Sequence, residues 1–273
     1  MAVKRILVVS GTHGNEINPI WAVKKFNREG NNNIKKEIKY EFIIGNPLAY
    51  EKGSRYIDAD LNRSFNENKN LDQQKEIIYE IKRANFLLDQ FGINGTESCQ
   101  IAIDLHTTTA NMGTSIVMYG RRSKDFCLAA LLQNKFGLPI YLHEKDDTQT
   151  GFLVEAWPCG LVIEIGAVAQ NFYDPRIINR FIIIINSLRE EIYKLKNNLI
   201  ELPKELIVYV HQRSIDYPRD ENGKIDGVIH PERINQDWKM IKKGDPLFLD
   251  SQGKIYKYDG DQLIWPVFIG EVA

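Results

Sequence analysis

The sequence is poor in cysteine, in long apolar runs and in net charge, and each scarcity closes off a class of protein. Three cysteines, Cys99, Cys127 and Cys159, are odd in number, far apart and never in a CxxC pair. That spacing argues against a disulfide framework and against a thiolate zinc site, and leaves buried free thiols as the expected state. The longest strongly apolar run, residues 181–185, is too short to span a bilayer. No apolar segment with a small-residue cleavage site precedes the first strand-like run, so the cytoplasm is the expected compartment. The formal net charge is -1, from 35 basic and 36 acidic residues. Such a balance gives no long-range attraction for nucleic acid or anionic membrane, and neither is an expected partner. No internal repeat is visible, and the asparagines at 31–33 read as a surface loop.

What is present is an ordinary globular composition, 43% hydrophobic and 26% charged over 273 residues, enough to bury a full core. The first two-thirds alternate strand-like and helix-like segments. Short β-branched or apolar runs at 5–9, 40–46, 101–105, 114–119 and 161–166 read as strands, with Pro47 as a hard stop after the second. Apolar stripes at helical spacing mark 16–28, 72–91 and 124–136, the last closed by Gly137 and Pro139. Asp174 and Pro175 suit an N-cap and first helical position, opening a helix to about residue 195. This alternation predicts an α/β fold, a mainly parallel sheet with helices on both faces. After Pro203 the pattern changes to short strand candidates at 206–210, 228–230, 247–249, 255–258 and 267–269, separated by turn signals. Residues 1–202 are therefore expected to form an α/β domain and residues 203–273 a small β-rich domain.

Within that frame, His13 and Glu16 in the motif GTHGNE follow the first strand, and His106 in the motif DLHT follows the 101–105 strand. Two imidazoles and one carboxylate are a ligand set that holds a catalytic zinc and leaves its fourth position for water. Strand carboxyl ends are where open α/β sheets place their sites. The HxxE pair alone also suits a solvated helix start with Glu16 favoured by the helix dipole, and the second histidine after a matching strand tips the reading toward metal. Residues 53–65 form a polar stretch too long for a tight turn, in which Arg55, Asn62 and Arg63 concentrate donors suited to carboxylate or oxyanion recognition. The plainer alternative is a surface loop with ordinary ion pairs. Glu164 lies inside an apolar strand, and a buried carboxylate needs a partner, a metal or exposure at a strand end. It reads either as half of a salt bridge or as a general base with a raised pKa.

Taken together, GTHGNE (11–16), RYIDADLNRSF (55–65), DLHTTTANMG (104–113), VIEIG (162–166) and DYPRDENG (216–223) resemble the aspartoacylase and succinylglutamate desuccinylase family, within the zinc carboxypeptidase-like fold. Five separated motifs occur in the family's order, and the resemblance runs from about residue 6 to the C-terminus. It implies one zinc per chain on His13, Glu16 and His106. It implies that Arg55 polarises the scissile carbonyl, that Asn62 and Arg63 hold a substrate carboxylate, and that Glu164 is the general acid/base. The implied activity is hydrolysis of an N-acyl amino acid, N-acyl-L-aspartate foremost. Deacylation of other N-acyl amino acids with neutral or aromatic side chains, beside Phe152 or Trp157, is the alternative; a non-catalytic binding protein is a third, disfavoured by Glu164. The small-molecule substrate is the expected partner, and homo-oligomerisation is left open. Two departures bear on specificity. The family's acyl-aspartate enzymes carry a tyrosine and an arginine before the catalytic-Glu strand, whereas residues 146–158 contain no Arg, Lys or Tyr. A second substrate carboxylate would have to find Lys145, Arg219 or solvent. The sequence also stops at residue 273, just before the family's further substrate-binding tyrosine, which suggests a truncated natural product.

Overall fold

The computed structural model describes residues 3–29, 37–65, 78–144, 146 and 149–271. A seven-stranded sheet forms the centre, in the order β2-β1-β3-β6-β4-β5-β7. The strands are β1 (Arg5–Ser10), β2 (Lys39–Ile44), β3 (Ile101–Thr107), β4 (Thr114–Tyr119), β5 (Ile140–His143), β6 (Gly160–Ile165) and β7 (Tyr209–Val210). Every neighbouring pair is parallel except β4 with β6. The sheet is therefore mixed and mainly parallel, as the strand–helix alternation predicts.

Successive strand residues face opposite sides, and both sides are buried. Ile6, Val8, Ile101, Ile103, Leu105, Leu161 and Ile163 pack on one face against α1 (Ile17–Glu29), α4 (Ser123–Phe136) and α5 (Pro175–Lys196). Leu7, Val9, Ala102, Val117 and Val162 pack on the other, against α3 (Tyr79–Phe91) and the segment around Leu61, Leu153 and Trp157. On this second face the strands turn polar toward their ends. Period two places Asp104 and His106 on the side of Ala102, Glu164 on the side of Val162, and Tyr119 on the side of Val117. One set of alternate positions thus carries core at one end and chemistry at the other.

Several elements differ from the sequence expectation. Pro47 opens a helix instead of ending structure: Asn46 caps α2 (Pro47–Lys52), its side-chain oxygen accepting from Ala49 N–H at 3.1 Å. The 124–136 and 16–28 helices stand within a residue of expectation. The helix expected over 72–91 is seen from Tyr79; residues 72–77, with Ile77, lie outside the described residues, as does the 31–33 loop. The four-residue β5, after Pro139, is too short to carry a period. The segment at 206–210 does not belong to the small sheet. Its strand, β7, pairs with β5 through Tyr141–Tyr209 and Leu142–Val210 and edges the large sheet. The small sheet is an antiparallel meander of β8 (Val228–Ile229), β9 (Pro246–Leu249) and β10 (Ile255–Lys257). Residues 267–269 are not a strand, and Phe268 has a φ of 54°. All three cysteines are free; Cys99 and Cys159 are buried and Cys127 is half-buried. Among the described residues no helix is long and apolar enough to cross a membrane.

Candidate active site

The adjacent parallel strands β1 and β3 bring the candidate ligands together, and β6 beside them carries Glu164. After β1 the chain turns at Gly11 and runs against α2 so closely that a Cβ on Gly14 would sit 2.2 Å from the Ala49 carbonyl carbon. That contact, with Gly14 N–H donating to Arg55 O at 3.1 Å, fixes the loop carrying His13. His13 Nδ1 lies 2.6 Å from one Glu16 carboxylate oxygen, and His106 Nδ1 lies 3.2 Å from the other. The imidazole rings are 4.9 Å apart, and one ligand atom from each of the three residues lies within 4.8 Å of the others.

The opposite edge of each imidazole is taken by a carboxylate. His13 Nε2 faces Asp60 at 3.1 Å, and His106 Nε2 faces Asp104 at 2.8 Å. Asp104, fully buried, also accepts from the Thr12 hydroxyl at 2.7 Å. Carboxylates at Nε2 orient both rings so that Nδ1 turns inward, the arrangement usual for metal-ligating histidine. Charge argues the same way. Glu16, Asp60 and Asp104 surround two imidazoles; Arg55 answers Asp60, and the two buried carboxylates Glu16 and Asp104 still favour a cation between the rings. Burial disfavours protonation of His106, yet the Asp104 and Glu16 carboxylates outweigh it and hold its pKa well above the ordinary value. Glu16 is burdened by burial too, but His106 and His13 bring its pKa well below the usual carboxylate range. The donor set fits a divalent ion of the zinc type.

Glu164 stands in β6 between His106 of β3 and Ser115 of β4. One of its carboxylate oxygens is buried with no hydrogen-bond partner. The salt bridge that sequence alone allowed is absent among the described residues. Burial raises its pKa to about 8; His106 pulls it down, while Glu16, Glu271 and Asp104 push it further up. A carboxyl group whose pKa is raised this far, beside a candidate metal site, can both take and return a proton.

The loop from Arg55 to Phe65 is ordered from behind by Glu80 of α3, a fully buried carboxylate. It accepts the backbone N–H groups of Ile57, Asp58 and Ala59 at 2.7, 3.0 and 3.1 Å, together with the Asn46 amide at 3.0 Å. Asp60 then caps the short 3-10 turn Leu61–Arg63 by accepting from Asn62 N–H at 2.8 Å. The Arg55 guanidinium reaches Asp60 at 3.2 Å and is 40% exposed, so its charge is available to a ligand. Asn62 is buried, and its side-chain oxygen accepts from Leu153 N–H at 2.9 Å, leaving the amide nitrogen as the donor it can offer. Arg63 donates to Gln149 Oε1 at 2.8 Å and lies over the Phe152 ring at 4.1 Å.

His13, Glu16, Arg55, Asn62, Arg63, His106 and Glu164 all line one cleft of about 1420 Å³, whose far wall is built by residues beyond 206. Beside Arg63 the wall is aromatic: Phe152 stacks on Tyr119 at 3.7 Å, and His143 meets both rings edge-on. Arg219 also lines the cleft, but its guanidinium is committed to Asp216 at 2.9 Å and to Gly223 O at 2.9 Å. Lys145 lies outside the described residues. Asp60, Asp104 and Glu80 were not singled out by sequence. The first two sit inside the recognised motifs, and an aspartate in the buried 101–105 run was the available signal.

Comparison with known proteins agrees in both sequence and shape. The family model described as "Succinylglutamate desuccinylase/Aspartoacylase catalytic domain" matches residues 2–192, and that of the "AstE/AspA barrel-sandwich hybrid domain" matches residues 204–273. A "Probable aspartoacylase" of Prochlorococcus marinus (strain MIT 9215) is 83% identical over 273 residues, all of this chain and 90% of that protein. One from strain NATL1A is 47% identical over 98% of this chain and 88% of that protein. Among solved structures, murine aminoacylase 3 superposes with a TM-score of 0.90 at 28% identity, covering 99% of this chain and 91% of that one. A succinylglutamate desuccinylase from Vibrio cholerae shares the fold, with a TM-score of 0.63 at 17% identity over 97% and 86% of the two chains.

Proposed function

The chain belongs to the succinylglutamate desuccinylase/aspartoacylase family, and from that premise we propose that it is a zinc-dependent amide hydrolase releasing the acyl group from N-acyl-L-aspartate. The observation that carries this reading is the meeting of His13, Glu16 and His106 ligand atoms within 4.8 Å in the cleft that also holds Glu164 and Arg63. These three residues would hold the ion, which when bound supplies Lewis acidity for the acyl carbonyl and a nucleophilic water. Asn62 and Arg63 bind the substrate carboxylate, with Arg63 placed over the Phe152 ring and tethered to Gln149. Arg55 faces the acyl carbonyl and stabilises the negative charge that develops on its oxygen. Glu164 accepts the proton of the attacking water and delivers it to the departing amine nitrogen. Its raised pKa suits both halves of that transfer. The products are a carboxylate and a free amino acid. Aspartate as the amino acid is supported by the names of the relatives, "Probable aspartoacylase".

A second reading keeps the chemistry and changes the side chain to a neutral or aromatic one. The stack of Phe152 on Tyr119 beside Arg63 favours it, as does the commitment of Arg219 to Asp216. Metal analysis of the purified protein, followed by competition between acetyl-aspartate and acetyl-leucine or acetyl-phenylalanine, separates the two. An exposed ion pair is worth only about 0–1 kcal/mol, so activity on acetyl-aspartate with modest exclusion of neutral side chains is expected. Preference for the neutral substrates would move the assignment to the second reading. Protein that purifies without metal and cleaves no acyl amino acid would overturn both.

A further inference from the structure

Beyond the metal cluster, carboxylates also join the C-terminal segment to the loop that follows His106. Residues 108–113 link β3 to β4 and cross the end of β6. Thr108 N–H donates to Ile165 O at 3.3 Å, Gly166 N–H to Gly113 O at 2.9 Å, and Val168 N–H to Thr108 O at 3.0 Å. A Cβ on Gly166 would sit 2.5 Å from Ala110 O and 2.6 Å from Thr108 O, so the loop rests directly on the strand end, two residues past Glu164. The loop cannot shift without the ends of β3 and β6 shifting with it.

The other side of the loop is gripped by residues more than 120 positions away in sequence. A single Glu271 oxygen accepts from the Thr108 hydroxyl at 2.6 Å, Thr109 N–H at 2.7 Å and the Thr109 hydroxyl at 2.6 Å, while Ala110 N–H donates to Thr108 Oγ1 at 3.0 Å and reaches Glu271 only as a longer branch at 3.3 Å. Asp237, 5% exposed, accepts from Asn111 N–H at 3.1 Å through one oxygen and from Ile269 N–H at 3.0 Å through the other. It therefore bridges the loop and the C-terminal segment. Trp238 Nε1 completes the seam by donating to Met112 O at 3.0 Å.

We propose that Glu271 and Asp237 are positioning residues: they clamp the 108–113 loop and so hold His106 and Glu164 in register across β3 and β6. The inference rests on the amide-hydrolase reading for its kinetic consequence, though not for the clamp itself. Bonds to a charged acceptor are roughly twice as strong as neutral ones, and the close approach of two hydroxyls and one N–H to the Glu271 carboxylate places the loop firmly. Misplacing reacting groups by about 1 Å can cost on the order of a hundredfold in rate. The substrate carboxylate is bound elsewhere, by Asn62 and Arg63, so the defect belongs in kcat and not in KM.

The test uses the full chain carrying Glu271→Ala, Glu271→Gln and Asp237→Asn, with steady-state kinetics and amide hydrogen exchange over residues 107–113. Glutamine keeps an oxygen acceptor, whereas alanine removes it. Glu271→Ala should lower kcat roughly ten- to a hundredfold with KM within about threefold of wild type, and should speed exchange at Thr109, whose N–H loses its acceptor. Glu271→Gln should recover most of the rate. An asparagine side chain offers one acceptor oxygen where Asp237 uses two. Asp237→Asn should therefore reproduce the kcat defect, and it carries the test if the alanine variant does not fold. A Glu271→Ala enzyme within about twofold of wild-type kcat, or a loss that glutamine does not repair, overturns the clamp. If the wild type cleaves no acyl amino acid, the hydrolase reading fails. Unchanged exchange in the variants would then refute the clamp by itself.

Discussion

Asp104 offers the sharpest test of how the candidate metal site is held. It is fully buried, accepts from His106 Nε2 at 2.8 Å and from the Thr12 hydroxyl at 2.7 Å, and is not one of the three residues whose ligand atoms converge. Its contribution is to hold the His106 ring so that Nδ1 faces Glu16, where a bound ion would sit. Asp104→Ala removes that acceptor and leaves two buried donors unpaired. Asp104→Asn can turn its amide so that the oxygen still meets His106 and the nitrogen meets Thr12, losing charge but not geometry. Loss of such orienting partners typically costs about 10–100-fold in metal affinity, or about 1.4–2.7 kcal/mol. The asparagine variant should fall near the lower end and the alanine variant near the upper end. Alanine also leaves unsatisfied groups costing about 1–3 kcal/mol each, so a lower Tm is expected for it. Zinc affinity from competition with a chromophoric chelator, with circular dichroism to confirm folding, reads out both effects. Two folded variants that bind zinc as tightly as the wild type would refute the assignment of Nδ1 as the ligand atom of His106.

Glu164→Gln should retain zinc and fold but lose roughly 10²–10⁴-fold in turnover, since an amide cannot shuttle a proton; near-normal turnover removes Glu164 from the reaction. Arg55→Ala should chiefly depress kcat, because its charge matters most as the carbonyl becomes an oxyanion, while Arg63→Ala should chiefly raise KM, because a carboxylate is charged throughout. Equal kinetic defects in the two variants would contradict this division. Glu80→Ala should lower stability by about 1–3 kcal/mol, since it leaves the Ile57, Asp58 and Ala59 amides without their acceptor, and should weaken substrate binding through the loosened loop. Denaturant unfolding and KM measured together check it, and unchanged values in both would show that the loop is ordered from elsewhere.

Elements whose physics is local can be read from the order of residues. Buried strands announce themselves as β-branched runs, so β1, β3 and β6 were legible, and with them His13, His106 and Glu164 at or near strand ends. Helical spacing and the Asp174–Pro175 cap were enough to locate α1, α4 and α5. The motifs carried Arg55, Asn62 and Arg63 to the same cleft. Tertiary structure alone decided what depends on contact between distant segments. A four-residue β5 carries too little periodicity to be read, and its pairing with β7 draws the 206–210 segment out of the small sheet and onto the large one. Pro47 looked like an ending because proline stops strands, yet the same fixed φ suits the first turn of a helix capped by Asn46. Asp60 meets His13 from 47 residues away, Glu80 orders a loop 21 to 23 residues before it, and Glu271 grips Thr108 across 163. None of these carboxylates has a local signature, because a buried charge is defined by the partner that folding brings to it.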